Sequence, residues 1–337
     1  MKDITILGIE SSCDETACAI IRNGKDILSS VVATQIDVHK QFGGVLPEVA
    51  SRIHVENISM VIETALKKAN MQVEDVDAIA FTQGPGLIGS LHVGVQAAKT
   101  LAWAFDKPLI PVHHISAHIY ANNLIADLKY PLLAVVVSGG HSEIVLMEDA
   151  NDYHILGQTQ DDAIGEAYDK VSRVMGLGYP GGPIIDKLAK EGKAAYKLPK
   201  PSTQGVYDLS FSGLKSGVLQ LINRLARNGE TYVKADLAAS FQETALDEIM
   251  DKVKLALDNY PVKQTLIAGG VAANSRLREK MQELVSNYDS ELLLPPLWCC
   301  TDNASMVGVA GYFAYLNNVR ADFSVSAKAS MKVKQVK

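Results

Sequence analysis

Cysteine is scarce in this chain. Cys13, Cys18, Cys299 and Cys300 are the only four, and they form no Cys-x-x-Cys pair. A disulfide framework is thereby excluded, and the thiols read as buried or incidental groups in a reducing cytoplasm. Long apolar runs are also missing: none approaches the ~20 residues of a membrane helix. The N-terminal apolar stretch breaks at Glu10, so no secretory signal is expected. No G-x-x-x-x-G-K-[ST] sequence occurs, which excludes a P-loop nucleotide site. A broad basic surface is lacking as well, since the formal charge is -6 and the pI about 5.8. The chain is therefore not expected to hold nucleic acid unaided, although a local basic patch or a partner surface can still do so.

What is present is a soluble globular composition, 47% hydrophobic and 21% charged, over 337 residues. That length suggests two domains. The first stretch predicts a strand over 4–9, a polar turn at Ser11 to Glu15, a second strand over 17–21 and a third over 27–33. Asn23-Gly24 marks the hairpin between the last two. Apolar spacing with Pro47 in the first turn predicts a helix over 47–69, followed by a strand over 76–81 and a helix over 91–105. A similar order returns later. Strands are predicted over 132–137, 144–147 and 153–156, a helix over 163–175, and a longer one over 235–259. A strand over 265–268 and a helix over 274–285 follow. The repeat lies in the pattern and not in the letters. It suggests the two-lobed α/β architecture of actin-like ATPases and sugar kinases (the ASKHA fold).

Several residues are candidates for chemistry. His114 and His118 stand four apart, a spacing that stacks two imidazoles on one helical face. This is the grip of the H-E-x-x-H metallohydrolases, but Ile115 occupies the place of their glutamate base. Spacing alone also allows two partly buried histidines with no metal. Asp302 reads first as an N-cap ahead of the apolar-rich stretch 304–316. Ser138-Gly139-Gly140-His141 follows an apolar strand, and its glycines let backbone amides turn toward an anion. Asp14 and Glu15 occupy the matching turn of the first half and are either ligand-steering carboxylates or solvated turn residues. Gly269-Gly270 leads to Asn274, which can cap a helix or bond a ligand.

Taken together, the motifs resemble those of the bacterial TsaD family (Gcp or YgjD), relatives of the KEOPS catalytic subunit. The matching stretches are Gly8 to Thr16, His113 to His118, Val137 to His141, Asp162 to Lys170 and Gly178 to Pro183. Phe211 to Lys215, Gly269 to Asn274 and Cys300 to Ala304 complete them. They run in family order through almost the whole chain. Ser142 and Ser216 depart from the commoner threonine but keep the hydroxyl.

The resemblance implies transfer of threonylcarbamoyl from threonylcarbamoyl-AMP to the N6 amine of adenosine 37 in tRNAs reading ANN codons. It implies the ASKHA fold, with an N-terminal lobe over 1–130 joined by a C-terminal helix over 302–325 and a second lobe over 131–301; the lysine-bearing tail over 326–337 lies outside the motifs and reads as flexible from its composition. It implies one divalent metal, Fe(2+) before Zn(2+), on His114, His118 and Asp302. Substrate contacts are implied from Val137, Ser138, Gly139, Gly140, His141, Asp169, Gly182, Asp186 and Asn274. Asp14, Glu15 and His141 are the expected catalytic residues. A TsaB-like paralogue and a TsaE-like ATPase are the expected partners, in the cytoplasm and with no membrane. A metallopeptidase and a sugar kinase or ATPase remain the other classes to test.

Overall fold

A computed structural model describes residues 2–332 and divides the chain into two units. The first runs to Leu128 and takes in Ala150–Asp152 and the chain from Thr301 onward. The second comprises Lys129–Asp149 and Tyr153–Cys300. Each is built on one five-stranded sheet.

In the first unit, β1 (Thr5–Glu10), β2 (Glu15–Arg22) and β3 (Asp26–Thr34) form an antiparallel meander. Asn23 and Gly24 turn it with φ of 54° and 66°, the left-handed pair that an Asn-Gly hairpin uses. The chain continues through α1 (Ile36–Lys40) and α2 (Pro47–Ala69), which stops at Asn70 in the left-handed region. Then come β4 (Ala78–Gly84), α3 (Ile88–Ala104), β5 (Leu109–His113) and the short α4 (His114–Tyr120). The strand order is β3-β2-β1-β4-β5, with β4 parallel to β1 and β5 parallel to β4. Leu7, Ile9, Ile79 and Phe81 join Val61 and Leu91 of α2 and α3 in one core. Side chains alternate along a strand, so Ile6, Gly8 and Glu10 point to the opposite face.

The second unit starts with β6 (Leu132–Val137), β7 (Ser142–Asp149) and β8 (Asp152–Gln158). Four helices follow: α5 (Ile164–Val174), α6 (Gly181–Ala189), α7 (Ser212–Arg227) and α8 (Lys234–Asn259). β9 (Gln264–Ala268), α9 (Ser275–Val285), β10 (Glu291–Leu293) and α10 (Leu297–Cys300) complete it. The order is β10-β9-β6-β7-β8, with β6 antiparallel to β7 and parallel to β9. Position by position this repeats the first sheet. The duplication legible as a pattern in the sequence is thus a duplication of topology.

The final helix, α11 (Ala304–Leu316), belongs to the first unit and lies on the free face of its sheet. Small residues let it approach closely. A Cβ on Gly8 would sit 2.6 Å from the Ala304 carbonyl oxygen, and one on Gly311 would sit 2.4 Å from the Ala80 Cβ. The helix is shorter than the expected 302–325, because Asn317 caps it and Asn318 turns left-handed (φ 55°). The described part of the tail expected to be flexible from 326 is bonded to the sheet. Lys328 donates its amide to Gln83 and Ala329 accepts from Gly86, which fixes this stretch along the end of β4. Lys334 and Lys337 lie outside the described residues. Among the described residues, no helix is long and apolar enough to cross a membrane.

Candidate metal centre and substrate residues

Three donors converge in the first unit. β5 delivers the chain to α4, whose first residue is His114 and whose fifth is His118. Their rings stand edge to face with centroids 4.7 Å apart. From the far end of the sequence, Asp302 arrives just ahead of α11. Its Oδ1 lies 3.0 Å from His118 Nε2 and 3.6 Å from His114 Nε2. One ligand atom from each residue falls within 4.8 Å of the others, with both histidines buried. Two imidazole nitrogens and a carboxylate oxygen form a donor set that suits a divalent ion such as iron or zinc.

Asp302 is not the helix cap that local reading assigns to it. Asn303 takes that place, its side-chain oxygen accepting from the Met306 amide. The substitution of one capping residue for its neighbour leaves the Asp302 carboxylate to face the histidines.

Behind the histidines stands Glu10, which sequence reading passed over. It is fully buried at the end of β1, on the same sheet face as Gly8 and α11. Its carboxylate accepts from the Ser12 amide at 2.6 Å and the Thr82 hydroxyl at 2.5 Å, and approaches His114 Nδ1 at 3.3 Å. Ser12 Oγ is 3.2 Å from the same nitrogen. A proton held on Nδ1 by Glu10 would leave Nε2 as the atom that gives its lone pair to an ion bound among His114, His118 and Asp302. Burial opposes charge on both groups, but their mutual attraction prevails. Glu10 is held below the ordinary carboxyl range, and His114 is pushed up to about 9 by Asp302 and Glu10. A glutamate closing an otherwise apolar strand was the signal available in the sequence.

Asp14 and Glu15 lie at the β1–β2 turn. Glu15 Oε1 accepts from the Thr34 hydroxyl at 3.1 Å. Burial, then the charges of Asp302 and Asp14, push its carboxyl up to about 10. Ile115, at the position of the hydrolase base, is wholly buried and apolar.

In the second unit, Ser138–His141 is a tight turn between β6 and β7. The Ser138 amide donates to the His141 carbonyl at 2.8 Å, and the His141 amide donates to Ser138 Oγ at 3.0 Å. Of the four amides expected to face an anion, the outer two are thus engaged within the turn. Those of Gly139 and Gly140 have no hydrogen bond among the described residues, and a Cβ on either glycine would meet open space. Val137 abuts Gly269, whose φ of 91° and 2.5 Å clearance to the Val137 carbonyl exclude a side chain.

The other expected substrate residues fall into two clusters. Asn274 caps α9 through the Leu277 amide and donates to Gln242 at 2.8 Å, beside the buried Tyr168 hydroxyl. Asp186 accepts from the amide and hydroxyl of Ser275, the residue after Asn274. Asp169 accepts from the Gly181 amide at 2.6 Å, and Gly182 follows with open space at its α-carbon. Gln242 and Tyr168 were not foreseen. A glutamine on the apolar stripe of α8 was the available hint.

Comparison with known proteins gives this geometry a family. The family model described as TsaD, tRNA N6-adenosine threonylcarbamoyltransferase, matches residues 26–309. The chain is 52% identical over 332 residues to the tRNA N6-adenosine threonylcarbamoyltransferase of Bacillus licheniformis, covering 98% of this chain and 97% of that one. It is 49% identical over 333 residues to the protein of that name from Staphylococcus carnosus, with the same coverage. Among solved structures, full-length HypF in its phosphate- and nucleotide-bound form has a TM-score of 0.63 at 15% identity, over 93% of this chain and 46% of that one. Component A of the Acidaminococcus fermentans (R)-2-hydroxyglutaryl-CoA dehydratase scores 0.52 at 17% identity, over 92% and 98% of the two chains. These two likenesses concern the fold alone, which is of the actin-like ATPase and sugar-kinase type. By its sequence over nearly its full length, the chain belongs to the TsaD family of tRNA N6-adenosine threonylcarbamoyltransferases.

Proposed function

We propose that the chain transfers threonylcarbamoyl from threonylcarbamoyl-AMP to the N6 amine of adenosine 37 in tRNAs reading ANN codons, releasing AMP. The observation that carries this reading is its 52% identity, over 98% of its length, to a protein named for that transfer. The donor is a mixed anhydride, already activated. The acceptor is a poor nucleophile, because its lone pair is delocalised into the purine. The chemistry therefore calls for polarisation of the donor and removal of an amine proton.

We assign a divalent cation, Fe(2+) or Zn(2+), to His114, His118 and Asp302. When bound, it would supply Lewis acidity and a clamp for the donor. Glu10 sets the His114 tautomer. The Gly139 and Gly140 amides offer two donors to the leaving phosphate or a developing oxyanion. Asn274, Asp186, Asp169 and Gly182, with Val137 to His141, are the substrate contacts assigned to the second unit. Asp14 or Glu15 steers the amine, and of the two Asp14 is assigned to take its proton, because Glu15 keeps its own. Ile115 supports transfer over hydrolysis, since a buried isoleucine cannot activate water as the metallopeptidase glutamate does.

The acidic chain needs help to hold tRNA, so we assign it a TsaB-like paralogue and a TsaE-like ATPase as cytoplasmic partners. An apolar groove of about 610 Å³ between α2 and α3, lined by Val55, Ile58, Ile62 and Val93, supports seating the paralogue there. The test is transfer of labelled threonylcarbamoyl from its adenylate to tRNA, with and without metal and partners. Label on tRNA that depends on adenosine 37 is expected. Peptide cleavage, or ATP turnover on a small hydroxylic substrate with no label on tRNA, would overturn the reading.

A further inference from the structure

Charge is distributed unevenly along the second unit. Between Lys187 and Asn228 stand eight lysines and arginines against two acids, in a chain whose total is -6. All eight cations are exposed. Five lysines lie between 187 and 200, and Lys215, Arg224 and Arg227 lie on α7. The two groups adjoin. A Cβ on Gly217 would sit 2.6 Å from Pro199 Cδ, so the lysine-bearing loop rests directly on α7.

α7 buries Leu214, Gly217, Val218 and Leu221 and contains no acidic residue. Lys215, Arg224 and Arg227 have no acidic partner among the described residues. In the adjoining loop, Lys190 and Lys200 reach Asp186 and Asp251 at 3.9 and 3.7 Å, and the cations of α9 are held more closely. Arg276 and Lys280 of α9 are bound by Glu243, Glu279 and Asp247. Arg320 stacks on Tyr315 and donates to carbonyls of its own segment. The helix dipole favours Arg224 and Arg227 in the last turn of α7. It disfavours Lys215 in the first turn, so helix stability does not account for the set.

Near the C-terminal end of α7, Gln220, Asn223, Arg224, Arg227 and Asn228 line a cavity of about 260 Å³. The nearby Glu230 carboxylate is held by the Asn228 side-chain amide at 3.3 Å, and two guanidiniums and three amides supply the donors that line the cavity. This is the chemistry that receives phosphate oxygens.

We propose that the exposed face of α7, with the 190–200 loop beside it, docks the phosphate backbone of the substrate tRNA. The inference rests on the tRNA reading above and gives it a surface. The acidic remainder of the chain disfavours RNA elsewhere, which makes this patch a register as well as an anchor.

The test titrates the full chain, together with the paralogue and the ATPase, with labelled tRNA between about 50 and 200 mM salt, beside an Arg224→Ala/Arg227→Ala double variant. Losing two phosphate contacts should flatten the log–log salt slope by about 1.4 to 1.8. KM for tRNA should rise while kcat at saturating tRNA stays unchanged. Arg224→Lys/Arg227→Lys should restore the slope, because point charge and not fork geometry governs counterion release. Circular dichroism of the variants should match the parent, as both positions are exposed. An unchanged slope and KM in the alanine variant would overturn the docking face and leave the transfer reading intact. A parent that, with both partners present, neither binds nor modifies tRNA would sink both.

Discussion

Nδ1 of His114 faces Glu10 at 3.3 Å, while Nε2 of the same ring faces Asp302 at 3.6 Å. One imidazole is therefore held from both sides by carboxylates with different tasks. Glu10 fixes the ring, and Asp302 shares the donor cluster. Glu10→Gln keeps the volume and the chance of bonding Ser12 and Thr82 but removes the charge. It should weaken Zn(2+) affinity by about 10- to 100-fold, as loss of an orienting carboxylate generally does. Competition against a chromogenic chelator measures this directly. An unaltered affinity in a folded variant would refute the orienting role.

The close contact of α11 with the sheet predicts an order of sensitivity. A methyl on Gly8 would press on two backbone atoms, the Ala304 oxygen at 2.6 Å and the Gly308 nitrogen at 2.7 Å. A methyl on Gly308 would meet the Ile21 side chain, which can shift. Gly8→Ala should thus cost the more, at or above the roughly 1–3 kcal/mol of a typical overpacked core. It should also weaken metal binding by displacing Asp302. Urea unfolding of the two variants would decide it, and equal losses would show that the backbone clash is relieved.

Asn303 caps α11 through the Met306 amide, and Asp302 faces the histidines. Removing the cap in Asn303→Ala should cost about 1 kcal/mol. Asn303→Asp keeps an acceptor for the Met306 amide and should recover most of that loss. A denaturant series of the three proteins tests the assignment, which fails if Asn303→Ala is neutral.

Glu143 on β7 supplies a pH dependence. Burial pushes its carboxyl from 4.5 up to about 7, and its Oε2 has no hydrogen-bond partner among the described residues. The folded state holds this proton more tightly than the unfolded chain does. Stability from this group is therefore full below 4.5 and is lost as pH rises through about 7. Glu143→Gln escapes that loss. Its stability advantage over the parent should open between those two values and stay constant above them. An advantage that does not vary with pH would contradict the assignment.

Much of the fold was legible because local chemistry and tertiary demand agree. Asn23-Gly24 forms the predicted hairpin, and the helix from Pro47 to Ala69 has the bounds its apolar spacing gave. β5 escaped notice because Pro111 interrupts a five-residue run, and such a strand is tolerated at a sheet edge, where it lies. The resemblance ran α11 on to 325, although the apolar stretch 304–316 has its observed bounds and Asn317-Asn318 marks its end. In the candidate site, a four-residue spacing exposed the histidines. Asp302 came into view only through family resemblance, since no local signal spans the chain. Glu10 stayed hidden because its face has meaning only once α11 is known to cover that side of the sheet.

The separation of the donors in sequence has a consequence for biosynthesis. A chain translated as far as Cys300 already carries Glu10, both histidines and every strand of both sheets, yet lacks the third ligand. If the assigned ion binds at His114, His118 and Asp302, such a chain would offer it only two imidazoles, and tight binding would follow the docking of α11.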